Sequence, residues 1–216
     1  MTRAIWASAL LTLATTCGHP RQVTPPPVAP TPPPTRPSGA RETLSHLSLP
    51  EKVGQMIGVR AHGFYRHPET AEAQELKRQV AMLGVGSLCV FESEVESLPR
   101  LLNELQASAK VPLLVSADME RGMSFRIRRG VVPLPYAMAF GADGSEEDAR
   151  FMGEVAAREG RALGVHWALA PVADVTNNPA NPVINIRSFG EDPERVARLV
   201  AAFIRGASEG GLLTPV

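Results

Sequence analysis

The sequence predicts an α/β fold with a parallel sheet, and three observations carry that prediction. From Leu44 onward, short β-rich runs alternate with helical stretches. The strand-like runs are continuously apolar rather than alternating, as in a sheet covered on both faces. Polar residues gather just after the third and fourth of these runs. Two architectures fit the pattern, a doubly wound open sheet and a (β/α)8 barrel. No G-x-G-x-x-G follows any strand, which removes support from the dinucleotide-binding version. A barrel places its site at the C-terminal ends of its strands, where the polar clusters lie here. Periodicity by itself does not choose between the two.

The elements follow in order. Ser48-Leu-Pro-Glu51 has the S-x-x-E form of a capping box and opens a short helix. Met56 to Arg60 is the first expected strand, Glu69 to Leu83 a helix ended by Gly84, and Val85 to Phe91 the second strand. Val95 to Ala109 is helical, and Pro112 introduces the third strand, Leu113 to Ala117. Ser145 caps a long helix through Leu163, on which Met152, Val155, Glu159, Ala162 and Leu163 share a face, and Gly164 ends it. His166 to Val172 is the fourth strand. Asp192 is a good N-cap with Pro193 at the first helical position, opening a helix to about Ser208. Gly210-Gly211 stops that helix, and Leu212 to Thr214 begins a fifth strand. A barrel needs eight strands and typically about 250 residues, so these units amount to roughly half of one.

The first residues have a different character. Arg3 followed by the apolar run Ala4–Ala14 reads as an export signal, too short to span a bilayer, over residues 1–19. Ala14-Thr-Thr-Cys17 resembles a bacterial lipoprotein signal, whose cysteine becomes lipidated after cleavage. Residues 20–43 read as a Pro-rich, disordered linker: nine of the chain's 20 prolines fall between Pro20 and Pro37. An extended tether of this kind, at about 3.1 Å per residue, holds a domain roughly 60 Å from its anchor. The folded domain is expected over 44–216, in a protein exported to the periplasm or cell surface; the lipoprotein resemblance implies anchoring to the membrane through Cys17, and a plain secretory signal with an incidental cysteine, or an uncleaved leader, is the alternative. Radioactive palmitate should label the protein in cells, and Cys17→Ser should abolish the label; retention of label would remove the anchor.

Composition excludes several classes. Lys+Arg and Asp+Glu both number 22, so there is no basic surplus for a nucleic-acid partner. The two cysteines, Cys17 and Cys89, make no disulfide framework, and Cys89 in its apolar run reads as a small buried hydrophobe. The five histidines, at 19, 46, 62, 67 and 166, show no H-x-H or H-x-x-x-H spacing. No metal and no cofactor are expected.

Two constellations carry chemistry. The first is Ser116-Ala-Asp118-Met-Glu120-Arg121-Gly122, closing the third strand. Acids beside a buried strand demand partners, because a desolvated charge is costly. Asp118 fits a ligand for substrate hydroxyls, an acid–base group, or an ion-pair partner of Arg121 or Arg126. The second begins at Asp174, directly after the fourth strand, and continues through an Asn/Pro-rich loop to Arg187. Long polar loops at such a rim commonly form binding sites. Arg187 offers a fork of donors for hydroxyls or a carboxylate, or a structural bridge to Glu191 or Asp192.

Pro112 to Glu120, Gly164 to Val175, and Asn181-Pro-Val-Ile-Asn-Ile-Arg187-Ser-Phe-Gly-Glu-Asp-Pro193 together resemble family 3 glycoside hydrolases. Leu47 to Met56 is similar to the opening of that family's barrel domain, and the similarity runs from about Leu44 to Val216 in order and spacing. The Asn-Pro-rich form before Arg187 resembles the β-N-acetylhexosaminidase branch more than the plant-type β-glucosidases. Glu120-Arg121-Gly122 departs from the Glu-Gly-Gly common in that branch. The resemblance implies a (β/α)8 TIM-barrel-type domain, of which about the first half is present. It implies a retaining exo-β-N-acetylhexosaminidase acting on cell-wall or chitin-type carbohydrate, with β-glucosidase as the neighbouring activity. Asp118 and Arg187 would then hold the sugar in the −1 subsite, with Asp174 supporting the rim. In that branch the segment Lys-His-Phe-Pro-Gly-His-Gly-Asp, the acid/base pair and the nucleophilic Asp all follow the fifth strand. No catalytic residue is therefore expected among these 216, and a non-catalytic sugar-binding remnant stands as the alternative from another class.

Overall fold

The computed structural model describes residues 39–215. The expected export signal, Cys17 and most of the Pro-rich linker lie outside the described residues. The linker's expected end is corrected: helix α1 occupies Gly39–His46, so residues 39–43 are helical. Pro37 is the last proline before Gly39, and nothing in Ala40-Arg-Glu-Thr-Leu44 breaks a helix.

Four parallel strands form one sheet in the order β1-β2-β3-β5, with β1 at Gly58–Gly63, β2 at Ser87–Ser93, β3 at Leu114–Ala117 and β5 at Trp167–Ala168. Helix α2 (Leu49–Gln55) precedes β1, the helices α3 (Ala71–Ala81), α4 (Ser97–Ser108), α5 (Ala137–Asp143) and α6 (Glu146–Ala162) run between the strands, and α7 (Pro193–Glu209) follows β5. A short strand β4 (Glu120–Met123) stands outside the sheet. Consecutive parallel strands joined by helices are the units of a (β/α)8 barrel.

Local chemistry places these elements. Glu51 accepts from the Ser48 backbone N–H at 2.7 Å and from its hydroxyl, making the glutamate half of the expected box. Ser145 caps α6 by accepting from Asp148 N, and Asp192 caps α7 by accepting from Arg195 N at 2.7 Å. The helix expected from Glu69 starts two residues later, because the Thr70 hydroxyl takes the cap by accepting from Ala73 N. The first strand shifts from 56–60 to 58–63, since Met56 still closes the last turn of α2 onto Val53 O.

The helix-facing side of the sheet holds the core. Leu88, Val90, Val115 and Ala117 are fully buried, and α4 covers them with Leu98, Leu102 and Leu105. One face of α7 (Val196, Leu199, Phe203 and Ala207) packs into the same core beside Met152 and Ala156 of α6. The expected strand His166–Val172 narrows to Trp167–Ala168. Leu169 N still donates to Ala117 O at 2.8 Å, but β3 ends there and Pro171 has no N–H to give. The fifth strand is likewise reduced to a bridge between Leu213 and Trp167.

His166 is structural. Its Nδ1 accepts from Val115 N at 3.1 Å, its own N–H donates to Val115 O at 2.8 Å, and its carbonyl accepts from Leu213 N at 2.9 Å. Burial, and then the Arg161 charge, hold its pKa below the ordinary 6.5. The folded state favours neutral His166, so this contribution is present above pH 6.5 and is lost as pH falls through the lowered value. Thermal unfolding should show a drop in Tm across that window that His166→Asn, which keeps an acceptor but no titrating group, diminishes. An identical drop in the variant would assign the effect to other groups.

Candidate functional site

The two constellations meet above the C-terminal end of β3. β3 ends at Ala117, and the chain turns through Asp118 and Met119 into β4. Met119 is fully buried and anchors that turn, with Asp118 half-buried before it and Glu120 only 7% exposed after it. Gly122 follows at φ +58°, a conformation that costs glycine little.

Glu120 meets Arg187, 67 residues further on. Arg187 Nε donates to Glu120 Oε2 and Arg187 Nη2 to Oε1, both at 2.8 Å, a two-point fork on a buried carboxylate. Nη1 donates to Val183 O at 3.0 Å. Each Nη keeps one further N–H for a ligand. Its hydrogen bonds to Glu120 hold the Arg187 guanidinium above its usual pKa range against the opposing effect of burial, and the charges of Glu120, Asp118 and Asp174 add to it. Glu191 and Asp192, the partners that sequence proximity suggests for Arg187, do not pair with it among the described ion pairs.

Asp118 makes its own pair. Arg126 Nη2 donates to Asp118 Oδ2, and Arg126 lies over the Phe91 ring at 4.5 Å and the Phe125 ring at 5.0 Å. Of the two partners suggested by sequence, Arg126 is the one used. Arg121 instead lies over Tyr136 at 4.7 Å, and its Nη2 reaches Ser124 O at 3.4 Å. With Oδ2 engaged, Asp118 keeps Oδ1 as an acceptor.

Asp174 sits on the rim with an exposed side chain, and its backbone ties the second loop together. Ser188, fully buried, lies with Oγ 2.5 Å from Asp174 O and accepts from Gly190 N at 3.1 Å. Asn185, two residues before Arg187, has φ +39°, an uncommon setting that Asn tolerates better than most residues, and its carbonyl accepts from the Thr176 hydroxyl. A short 3-10 turn, Asn185–Arg187, then aims the guanidinium at Glu120. The structure thus brings Asp118 and Arg187 to one rim, with Asp174 close enough to act on Arg187 electrostatically.

Sequence reasoning missed Glu120, Arg126 and Ser188 as members of the site. Strand alternation signalled Glu120 by placing it on the side of Asp118, and Arg126 was visible as a possible partner. Ser188 left no signal, because a buried serine knot depends on where the loop closes. Cys89 is half-buried, and burial, opposed by its hydrogen bond with Ser116, pushes its thiol up in pKa, which fits an unreactive role. Among the described residues no cluster of metal-ligating side chains occurs, and no helix is long and apolar enough to cross a membrane.

Parallel β/α units with a paired-charge rim at their strand C-termini define the opening units of a (β/α)8-barrel-type domain. Residues 48–216 match the family described as the glycosyl hydrolase family 3 N-terminal domain, and the chain belongs to that family. It is 32% identical over 172 residues to a β-N-acetylglucosaminidase/β-glucosidase of Cellulomonas fimi, covering 80% of this chain and 29% of that protein. It is 37% identical over 148 residues to a β-hexosaminidase of Pseudomonas aeruginosa, covering 66% of this chain and 43% of that protein. The solved structure of a family 3 β-N-acetylglucosaminidase from Paenibacillus sp. superposes with a TM-score of 0.70 at 35% identity, covering 78% of this chain and 32% of that one. The chain therefore spans less than half the length of these relatives.

Proposed function

We propose that this chain supplies the sugar-gripping part of a retaining, exo-acting β-N-acetylhexosaminidase working on cell-wall or chitin-type carbohydrate. The observation that carries the proposal is the fork between buried Glu120 and Arg187 beside the Asp118–Arg126 pair. Each arginine is already held by carboxylate, Arg187 by Glu120 and Arg126 by Asp118 with Glu92 at 3.7 Å, so neither must be ordered when a sugar arrives. Asp118 Oδ1 accepts from ring hydroxyls, and the remaining Arg187 donors point charge-assisted bonds at sugar oxygens. Such groups act more strongly in a site from which water is excluded. Asp174 stiffens the rim behind Arg187. These residues position the sugar, and the covalent step belongs to carboxylates outside these 216 residues. The printed activities of the Cellulomonas relative include β-glucosidase, which supports a second reading in which glucose is the preferred ring.

Calorimetric titration separates these readings. N-acetylglucosamine should bind this chain with a Kd of about 1 mM and glucose more weakly. Asp118→Ala should weaken binding by about 2 kcal/mol, roughly thirty-fold, the usual effect of losing a hydrogen bond to a charged group. A preference for glucose would favour the β-glucosidase reading, and binding unaffected by Asp118→Ala would remove Asp118 from the grip. Turnover of p-nitrophenyl N-acetyl-β-glucosaminide by this chain, abolished by Asp118→Ala, would overturn the placement of the covalent step elsewhere.

A further inference from the structure

Arg121 is the one charged residue of β4 that the grip leaves unexplained. It follows Glu120, yet it lies over the Tyr136 ring at 4.7 Å, and its Nη2 reaches only Ser124 O at 3.4 Å. Among the described residues it forms no ion pair. Its Nε is buried without a hydrogen-bond partner. A guanidinium placed in this way loses hydration and gains no carboxylate in return. The aromatic contact is what remains to hold it, and a cation over a ring face gains most where water is excluded. The turn after it is closed by the Ser124 hydroxyl, which donates to Arg121 O at 2.7 Å.

Tyr136 stands at the start of α5. It is the N-cap residue, its carbonyl accepts from Ala139 N at 3.0 Å, and no side chain caps that end. Seven residues are too few to hold a helix in place unaided, so contacts at its ends set where α5 lies. At the C-terminal end, Arg195 Nη2 of α7 reaches Ala142 O at 3.4 Å. At the N-terminal end, the segment 131–136 crosses α6 and β4 before the helix begins. Val132 N donates to Glu159 Oε1 at 2.6 Å, and Leu134 is buried against Gly122, where an added Cβ would meet it at 3.1 Å. Tyr136 then comes to rest on Arg121. Between its ends α5 lies against the 3-10 turn that carries Arg187, and Gly141 leaves no room for a side chain beside the Phe189 carbonyl. The Arg187 loop is therefore held from two sides, by β4 through Glu120 and by α5 through Phe189. Arg121 is the side chain that links those two sides.

We propose that Arg121 is a positioning residue for the sugar grip: stacked on Tyr136, it fastens the start of α5 to β4 and so keeps the Arg187 loop pressed onto Glu120. This inference rests on the proposed function of Asp118 and Arg187 and adds a residue that acts through them without touching the sugar. Without the stack, α5 keeps its tie to α7 but loses its tie to β4. The Arg187 guanidinium then samples positions in which its remaining donors miss the sugar, and binding weakens even though every group that meets the sugar is still present.

The test is calorimetric titration of the 216-residue chain with N-acetylglucosamine, at a temperature where circular dichroism shows each variant folded. Arg121→Ala and Tyr136→Leu should each weaken binding about tenfold, and the double variant should be no weaker than either, because all three remove one contact. Two further variants separate charge from packing. Arg121→Lys keeps a cation over the ring and should bind within about threefold of the wild type. Arg121→Met keeps the apolar stem without the charge and should be as weak as Arg121→Ala; because it preserves volume, it carries the test if the alanine variant does not fold. Wild-type affinity in Arg121→Ala, even with lower stability in urea, would overturn the positioning role and leave the grip intact. So would rescue by Met as complete as rescue by Lys, or losses that multiply to about a hundredfold in the double variant. Failure of the wild type to bind the sugar would overturn the terminal-ring grip, and the positioning role with it.

Discussion

Arg187→Ala is expected to destabilise the fold by about 2–3 kcal/mol and to abolish measurable sugar binding. Glu120 supplies the first effect. Its carboxylate is 7% exposed and has both oxygens bound to one guanidinium. Removing the partner of a buried charge costs about 3–5 kcal/mol, because the charge left behind is neither solvated nor paired. A cost at or below the bottom of that range applies here, since the Arg187 side chain is 37% exposed and its removal lets water reach the carboxylate. The second effect is the loss of the donors themselves. Stability and binding can be separated by replacing both partners. Glu120→Leu with Arg187→Met removes both charges and keeps apolar volume, a change that is often neutral for a buried pair. Urea unfolding should then return to within about 1 kcal/mol of the wild type, while sugar binding stays absent. A single Arg187→Ala variant as stable as the wild type would show that the fork contributes nothing to the fold. Binding that persisted in the double variant would remove Arg187 from the grip.

The same pair marks the limit of what the sequence could tell. Elements governed by near neighbours were legible: the Ser145 and Asp192 caps, the Pro193 start of α7, and the strand ending at Ala117 all depend on residues within a turn of one another. Asp118 and Arg187 were legible as site residues because strand ends and long polar loops concentrate chemistry. Their partners were not. Arg187 chose an acid 67 residues away over Glu191 and Asp192, since only Glu120 combines burial with a fork-matching orientation. The strand at 166–172 was over-read for a related reason. Apolar sequence continues to Val172, but the ladder stops where β3 stops. Helix α5 was missed altogether, because its seven residues are too few to display a periodicity.

That missed helix decides whether Arg187 is in place, and Gly141→Ala tests it. An alanine for glycine inside a helix ordinarily stabilises by up to about 1 kcal/mol. At Gly141 the sign should reverse. A Cβ there would lie 1.6 Å from the Phe189 carbonyl oxygen and 2.5 Å from its carbon. Both are backbone atoms, so relief requires moving the chain rather than a side chain. Phe189 is buried and follows Ser188, whose hydroxyl fastens the Asp174 end of the loop, and Ser188 follows Arg187. Displacing Phe189 therefore pulls on the segment that holds the guanidinium against Glu120. Gly141→Ala should cost about 2–4 kcal/mol in urea unfolding, at or above the usual range for overpacking. It should also weaken N-acetylglucosamine binding at temperatures where the variant remains folded. Gly160→Ala in α6 is the matched comparison. Its new Cβ would meet the Met119 methyl at 3.0 Å, the flexible end of a side chain, and the change should stay within about 1 kcal/mol of neutral. If the two variants proved equally stable, α5 would not be pressed against the Arg187 loop. If Gly141→Ala lost stability but bound sugar as the wild type does, the loop would be shown to hold Arg187 independently of the helix beneath it.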